Sequence, residues 1–138
     1  GLVQPEVFSY YESFELCSGE KLPSFEMAYE TYGKLNDKKD NAILICHALS
    51  GDHHAAGYHS ELDQKSGWWE HCIGPNKPID TNKFFVVSPN NLGGCGGSTG
   101  PTSPNPNSQK PYGSDFPTIL VKDWVKSQKL LAEELEVS

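Results

Sequence analysis

Two uninterrupted apolar runs, Ala42-Ile43-Leu44-Ile45-Cys46 and Phe84-Phe85-Val86-Val87, constrain this chain more than any other feature of its sequence. Apolar residues without polar alternation are the pattern of a strand covered on both faces, and such strands belong to mainly parallel sheets. The sequence therefore predicts strands over Asn41–Leu49 and Phe84–Ser88, adjacent and parallel. Parallel neighbours need long crossovers and helices against the sheet. One helical stripe is present, Val121 to Leu135, with apolar residues at 121, 124, 125, 131, 132 and 135. It predicts a helix on one face of the sheet.

The first third of the chain reads differently. Val7–Leu16 and Ser24–Tyr32 are rich in aromatic residues and flank the turn signal Ser18-Gly19-Glu20-Lys21. They predict two antiparallel strands, followed by a polar turn over Asn36–Asn41. A long loop with Trp68 and Trp69 joins the two buried strands. A Gly, Pro, Asn and Ser stretch runs from Pro89 to Pro117. A helix of the 121–135 type should deliver the chain into a further buried strand, yet the sequence stops at Ser138. The expectation is an α/β protein in which residues 1–138 are the N-terminal segment of one domain.

Composition narrows the function. With 36% hydrophobic residues and 13 glycines the chain is globular in make-up. A net charge of −7 argues against nucleic acid and anionic membrane, which both attract clustered positive charge. No apolar run approaches a membrane span and no signal pattern opens the chain, so a soluble, cytoplasmic protein is expected. All 11 basic residues are Lys. Arg is the side chain that best grips a carboxylate in bidentate fashion, so such a clamp would be a Lys, backbone N–H groups or residues elsewhere. A plain preference for Lys over Arg gives the same composition. Cys17, Cys46, Cys72 and Cys95 form no C-x-x-C pair and read as reduced thiols, Cys46 as core packing.

Gly96-Gly97-Ser98-Thr99-Gly100 matches the G-x-S-x-G nucleophile elbow, but an elbow sits between a strand and a helix. Here the preceding strand is expected to close at Ser88. The following Pro101-Thr102-Ser103-Pro104-Asn105-Pro106 cannot form a helix. Ser98 is read as part of a structural loop. The same glycines lack the spacing of either nucleotide fingerprint. His53, His54 and His59 cluster beside Asp52. Their spacing fits no standard metal site, so hydrogen-bonded loop histidines and no metal are expected. Cys46 and His47 are expected to be strand neighbours that point to opposite faces, which sets a dyad aside unless the strand has already ended. The strand end Ile45-Cys46-His47-Ala48-Leu49-Ser50-Gly51 is more informative, because the loop after such a strand can supply one N–H of an oxyanion hole.

Several blocks then occur in order: Cys46-His47-Ala48-Leu49-Ser50-Gly51, Gly67-Trp68-Trp69, Pro78-Ile79-Asp80-Thr81, Asn91-Leu92-Gly93-Gly94-Cys95, Ser98-Thr99-Gly100-Pro101 and Lys110-Pro111-Tyr112-Gly113. Together they resemble the homoserine O-acyltransferases of the α/β-hydrolase fold, from about Phe14 to Leu135. Asp52 to His59 with Cys72-Ile73-Gly74-Pro75 look more like the succinyl-using branch than the acetyl-using one. The resemblance implies acyl transfer from an acyl-CoA to the hydroxyl of L-homoserine, on the way to methionine, by a ping-pong Ser-His-Asp mechanism. It implies a fold that opens with an antiparallel hairpin and continues with parallel strands and a crossover helix. It places the triad, the substrate-gripping Arg and the lid beyond Ser138, so the 138-residue chain alone is expected to be inactive. One catalytic element maps onto these residues, the backbone N–H of Leu49 as an oxyanion-hole donor. Substrate-binding residues are not assigned. Acyl-CoA is a co-substrate, no cofactor is implied, and the full-length enzyme is expected to be a homodimer. Two other readings fit the residues: a related serine O-acyltransferase or esterase, and a non-catalytic binding or assembly piece that uses His53, His54 and His59.

Overall fold

A computed structural model describes residues 1–94 and 96–137. Four strands form the main sheet: β1 (Glu6–Tyr10), β4 (Phe25–Tyr32), β8 (Phe85–Pro89) and β5 (Ala42–Leu44), in the order β1-β4-β8-β5. β5 and β8 are parallel, with Ala42 opposite Phe85 and Leu44 opposite Val87, as the apolar runs predict. β4 pairs antiparallel with β1 on one side and β8 on the other. Two short ribbons complete the strands: β2 (Phe14–Glu15) with β3 (Lys21–Leu22), and β6 (Ile73–Gly74) with β7 (Ile79–Asp80).

The aromatic run Val7–Leu16 is not one strand. β1 ends at Tyr10, and Phe14–Glu15 turns away to pair with Lys21–Leu22. The turn that closes this ribbon needs Gly19 at φ +89°. The strand predicted over Asn41–Leu49 is also shorter than expected. It has a neighbour on one side, and after Ile45 donates its N–H to the Val87 carbonyl (2.9 Å) the ladder stops. At this edge Leu44 is 48% exposed, not buried on both faces. Cys46 is exposed as well, which overturns its assignment to the core; Ile45 points inward and its neighbour outward. Cys17, Cys46 and Cys72 are free thiols, and Cys95 lies outside the described residues.

The two faces of the sheet carry different layers. On one face Phe25, Met27 and Tyr29 of β4 pack with Phe14, Leu22, Val87 and Leu131, the last from helix α1 (Val121–Glu134). On the other, Val86 and Ile45 pack with Ala55, Ala56 and Ile73, so a loop covers this side. Helix and sheet side match the sequence reading, and so does part of the stripe: Leu131 is buried, and Trp124 and Leu135 pack against the core. Val121 and Val125 are 66% and 60% exposed, whereas Asp123, Ser127 and Leu131 are buried. Their i, i+4 spacing puts them on one face.

Asp123 earns that position by capping. Its carboxylate accepts the N–H of Leu120 (2.8 Å), at the start of the helix, and the N–H of Cys17 (2.8 Å), at the β2–β3 turn. Burial opposes the charge, but these donors and Lys126 hold the carboxyl below the ordinary aspartate range. That stabilisation is complete above the unfolded pKa of about 3.9 and is lost as acid takes the pH down through the lower folded value. Asp123→Ala should destabilise the protein by about 1–3 kcal/mol, because two N–H groups lose their acceptor. Asp123→Asn, which keeps one acceptor oxygen, should cost less. Urea unfolding measures both; an unchanged midpoint for the Ala variant would show that the cap contributes nothing.

Candidate active site

Ligands of open α/β sheets bind beyond the carboxyl ends of the strands. In this chain the ends of β5 and β8 open into a cleft of about 540 Å³. Its walls are the turn after β5 (His47, Leu49, Ser50), the segment after β8 (Asn91 to Gly94), and Phe116, Pro117, Ile119 and Trp124. The helix braces the second wall: the Trp124 indole N–H donates to the Leu92 carbonyl (2.9 Å) and Gln128 to the Asn91 side chain (3.0 Å). Gly93, at φ +85°, reverses the chain here and donates its N–H to the Thr99 carbonyl (2.8 Å).

Leu49 stands at the mouth of this cleft, with its side chain 89% exposed. Among the described residues no acceptor takes its N–H, so the donor is available. The peptide that carries it is held from the other end. The Ala48 carbonyl accepts the N–H of Gly51 (2.8 Å) and lies 2.7 Å from Nδ1 of His47. A carbonyl only accepts, so Nδ1 carries the proton in that contact. A trans peptide is planar, so clamping C=O of residue 48 sets the direction of N–H of residue 49. The His47 ring thereby orients the Leu49 donor, a role that the sequence reading did not assign to it. Nε2 of the same ring is buried without a partner among the described residues.

Ser98 is remote from any nucleophile role. It is buried, its hydroxyl donates to the Asn90 carbonyl (2.9 Å), and it accepts the N–H of Ala28 (3.1 Å). Thr99 continues the arrangement, exchanging two hydrogen bonds of 2.8 Å with Glu26. The Gly-rich loop thus extends the pairing of β4 beyond the end of β8. No helix follows Ser98 directly; the next helical turn is Gly113–Asp115.

The loop histidines converge on a residue that the sequence reading passed over. Glu30, on β4, is fully buried. Nδ1 of His54 lies 3.0 Å from its Oε2, Nε2 of His59 contacts Oε1, and Nε2 of His53 lies 3.9 Å from Oε1. Tyr32 donates its hydroxyl to Oε2 (2.6 Å). Burial, with the Glu30 charge beside it, pushes the Tyr32 phenol above its usual range, and burial lowers the His53 imidazole. The cue in the sequence was alternation. Phe25, Met27 and Tyr29 face one layer, which puts Glu30 in the inward register of the other face. Gly67-Trp68-Trp69 supports this loop: the Trp68 and Trp69 N–H groups donate to the His54 and Ala55 carbonyls (3.1 and 2.7 Å). A Cβ at 67 would stand 2.2 Å from the Ala56 nitrogen, so only glycine fits there.

No family model matches the chain. Over 137 residues, 99% of the chain, it is 63% identical to homoserine O-succinyltransferase of Ectopseudomonas mendocina (strain ymp). The chain spans 36% of that protein, about a third of the length of the curated relatives it matches. The crystal structure of homoserine O-acetyltransferase from Bacillus anthracis superimposes with a TM-score of 0.94 at 37% identity, over 99% of this chain and 38% of that one. A crystal structure of an esterase superimposes with a TM-score of 0.93 at 42% identity, over 99% of this chain and 39% of that one. In sequence and in fold, the chain is similar over nearly its whole length to a portion of the homoserine O-acyltransferases of the α/β-hydrolase fold.

Proposed function

We propose that the protein containing this chain transfers a succinyl group from succinyl-CoA to the hydroxyl of L-homoserine, with Leu49 N–H as one of its oxyanion-hole donors. The observation that carries the choice of reaction is the 63% identity, across nearly the whole chain, to a homoserine O-succinyltransferase. The esterase likeness is weaker, at 42%. In this reading a serine outside the chain takes the acyl group from the thioester, and homoserine then collects it. Each half-reaction passes through a tetrahedral oxyanion, and the cleft beyond β5 and β8 presents the Leu49 amide to it. Residues 1–138 form part of one α/β-hydrolase domain and are inactive alone, since nucleophile, base and acid come from the rest of the enzyme. The reading includes a cytoplasmic homodimer that uses acyl-CoA as co-substrate, with no bound cofactor. Among the described residues no helix is long and apolar enough to cross a membrane.

The full-length protein should form O-succinylhomoserine and free CoA from succinyl-CoA and homoserine, with acetyl-CoA a poorer donor. Mass spectrometry of the product mixture measures both. Hydrolysis of simple esters without transfer to homoserine would instead assign an esterase. Ser98→Ala should still accumulate the acyl-enzyme, while losing about 1–3 kcal/mol of stability because the buried Ala28 N–H is left unpaired. An acyl adduct mapped to Ser98 by peptide mass spectrometry would refute the structural role given to it.

A further inference from the structure

Glu30 takes no part in the chemistry described so far. Its side chain is wholly buried, on the strand at the centre of the molecule. A buried carboxyl group needs hydrogen-bond partners, and buried carboxylates are typically paired with a cation or coordinate a metal ion. What faces this one is imidazole. Nδ1 of His54 lies 3.0 and 3.2 Å from the two carboxylate oxygens, and Nε2 of His59 contacts Oε1. We propose that Glu30, His54 and His59 form a binding site for a divalent transition-metal ion of the zinc class.

The donor set is the first argument. Two imidazole nitrogens and one carboxylate oxygen make a set that zinc takes, usually with a fourth ligand from solvent or protein. All three donor atoms lie within 4.8 Å of one another. Around a tetrahedral ion with bonds of about 2.0–2.1 Å, neighbouring ligand atoms stand about 3.3 Å apart. The His54–Glu30 separations fall close to that edge.

The placement of the rings is the second argument. The His54 and His59 rings lie with centroids 3.8 Å apart, tilted by 38°, and each presents a nitrogen to the Glu30 carboxyl group, so one ion can reach all three donors.

The surroundings are the third. A ligating carboxylate is oriented by a further hydrogen bond, and Tyr32 supplies one at 2.6 Å to Oε2. Its hydroxyl is held in turn by the N–H groups of Ala55 and Ala56 (2.9 and 3.1 Å). His53, with its side chain 10% exposed and Nε2 3.9 Å from Oε1, stands ready as a fourth ligand. The alternative fourth ligand is water, since the His59 side chain is 38% exposed. None of the three ligands lines the cleft. An ion here would tie the 54–59 loop to β4, and that loop continues the turn carrying Leu49. Its role is to fix the loop, independently of which acyl group the enzyme transfers.

Full-length protein, stripped with a chelator, is titrated with zinc chloride and, in parallel, with cobalt chloride as a spectroscopic probe. The expected result is one zinc per chain by elemental analysis, visible d–d absorption from bound Co(II), and a rise in Tm on adding zinc. His54→Ala and His59→Ala should each remove the cobalt band and weaken zinc binding by more than the roughly 10- to 100-fold typical of an outer-shell change. Tyr32→Phe should fall within that range. His71→Ala, which alters an exposed histidine elsewhere, should keep the wild-type affinity. Circular dichroism of the His59→Ala variant, whose ring is partly exposed, separates loss of metal from loss of fold. Sub-stoichiometric zinc with no change in Tm would overturn the proposal. So would unchanged zinc affinity in a folded variant lacking both His54 and His59.

Discussion

An amide-to-ester replacement at Leu49 in the full-length enzyme should lower acyl-transfer turnover by roughly 10² to 10³-fold, or about 2.7–4 kcal/mol of barrier, the usual cost of one oxyanion-hole donor. The substitution deletes the N–H and leaves the chain's shape almost unchanged. The neighbouring peptide keeps its clamp only in part, because an ester at 49 leaves the residue 48 carbonyl a weaker acceptor for Gly51 N–H and His47 Nδ1. Leu49→Ala separates the side chain from the backbone. The Leu49 side chain is 89% exposed, so its removal should barely affect stability, and the variant keeps its N–H. A turnover within a factor of about two for Ala and a loss of two orders of magnitude for the ester would assign the effect to the backbone donor. An ester enzyme as fast as wild type would remove Leu49 from the mechanism. His47→Ala offers a third reading. It leaves the Leu49 N–H in place but takes away one of the two groups that hold its peptide, so kcat should fall while the KM for acyl-CoA changes little.

The parts of this site that follow from short-range pattern were legible in the sequence. The parallel pair β5–β8 announced itself through unbroken apolar runs, and the turn at its carboxyl end followed from where the run stops. The rejection of Ser98 rested on missing strand and helix context, and the hydroxyl is indeed spent on Asn90 and Ala28. What was not legible depends on contacts between distant residues. His54 and His59 meet Glu30 across 24 and 29 positions, and nothing in the spacing of the histidines points to β4. The spacing of His53, His54 and His59 fits no standard metal site, whereas the fold brings His54 and His59 together on Glu30. The helix shows the same effect. Periodicity selected Val121 and Val125 as inward, but hydrogen bonding of Asp123 to the Cys17 N–H rotates a polar pair, Asp123 and Ser127, into the core. Apolar periodicity cannot register a buried polar group whose partner lies 106 residues away.

Phe25→Ala should be the most destabilising single truncation in the aromatic layer, by about 3–5 kcal/mol. Phe25 is 2% exposed, and its ring meets three others: Tyr10 at 5.2 Å, Phe14 at 5.0 Å and Phe8 at 6.0 Å between centroids. Phe14 and Phe8 approach edge-on, the arrangement that adds electrostatic attraction to burial. These rings come from β1 and β2, while Phe25 lies on β4, so one side chain joins the sheet edge to the β2–β3 ribbon. Removing it leaves a cavity whose walls are fixed by backbone pairing, Tyr10 opposite Phe25 and Phe14 opposite Leu22, and so cannot close over it. Phe25→Leu refills most of that volume and should recover a large part of the loss. Denaturant unfolding of the full-length protein reads both: a lower midpoint at constant slope for Ala, with Leu between it and wild type. The damage should extend toward the active site, because the next residue, Glu26, exchanges two hydrogen bonds with Thr99, and Thr99 accepts the N–H of Gly93 in the cleft wall. Hydrogen exchange at Thr99 and Gly93 should therefore accelerate in Phe25→Ala before global unfolding. A cost below about 1 kcal/mol would mean that the ribbon and sheet edge can collapse onto the vacated space, and that the aromatic layer does not hold the two together.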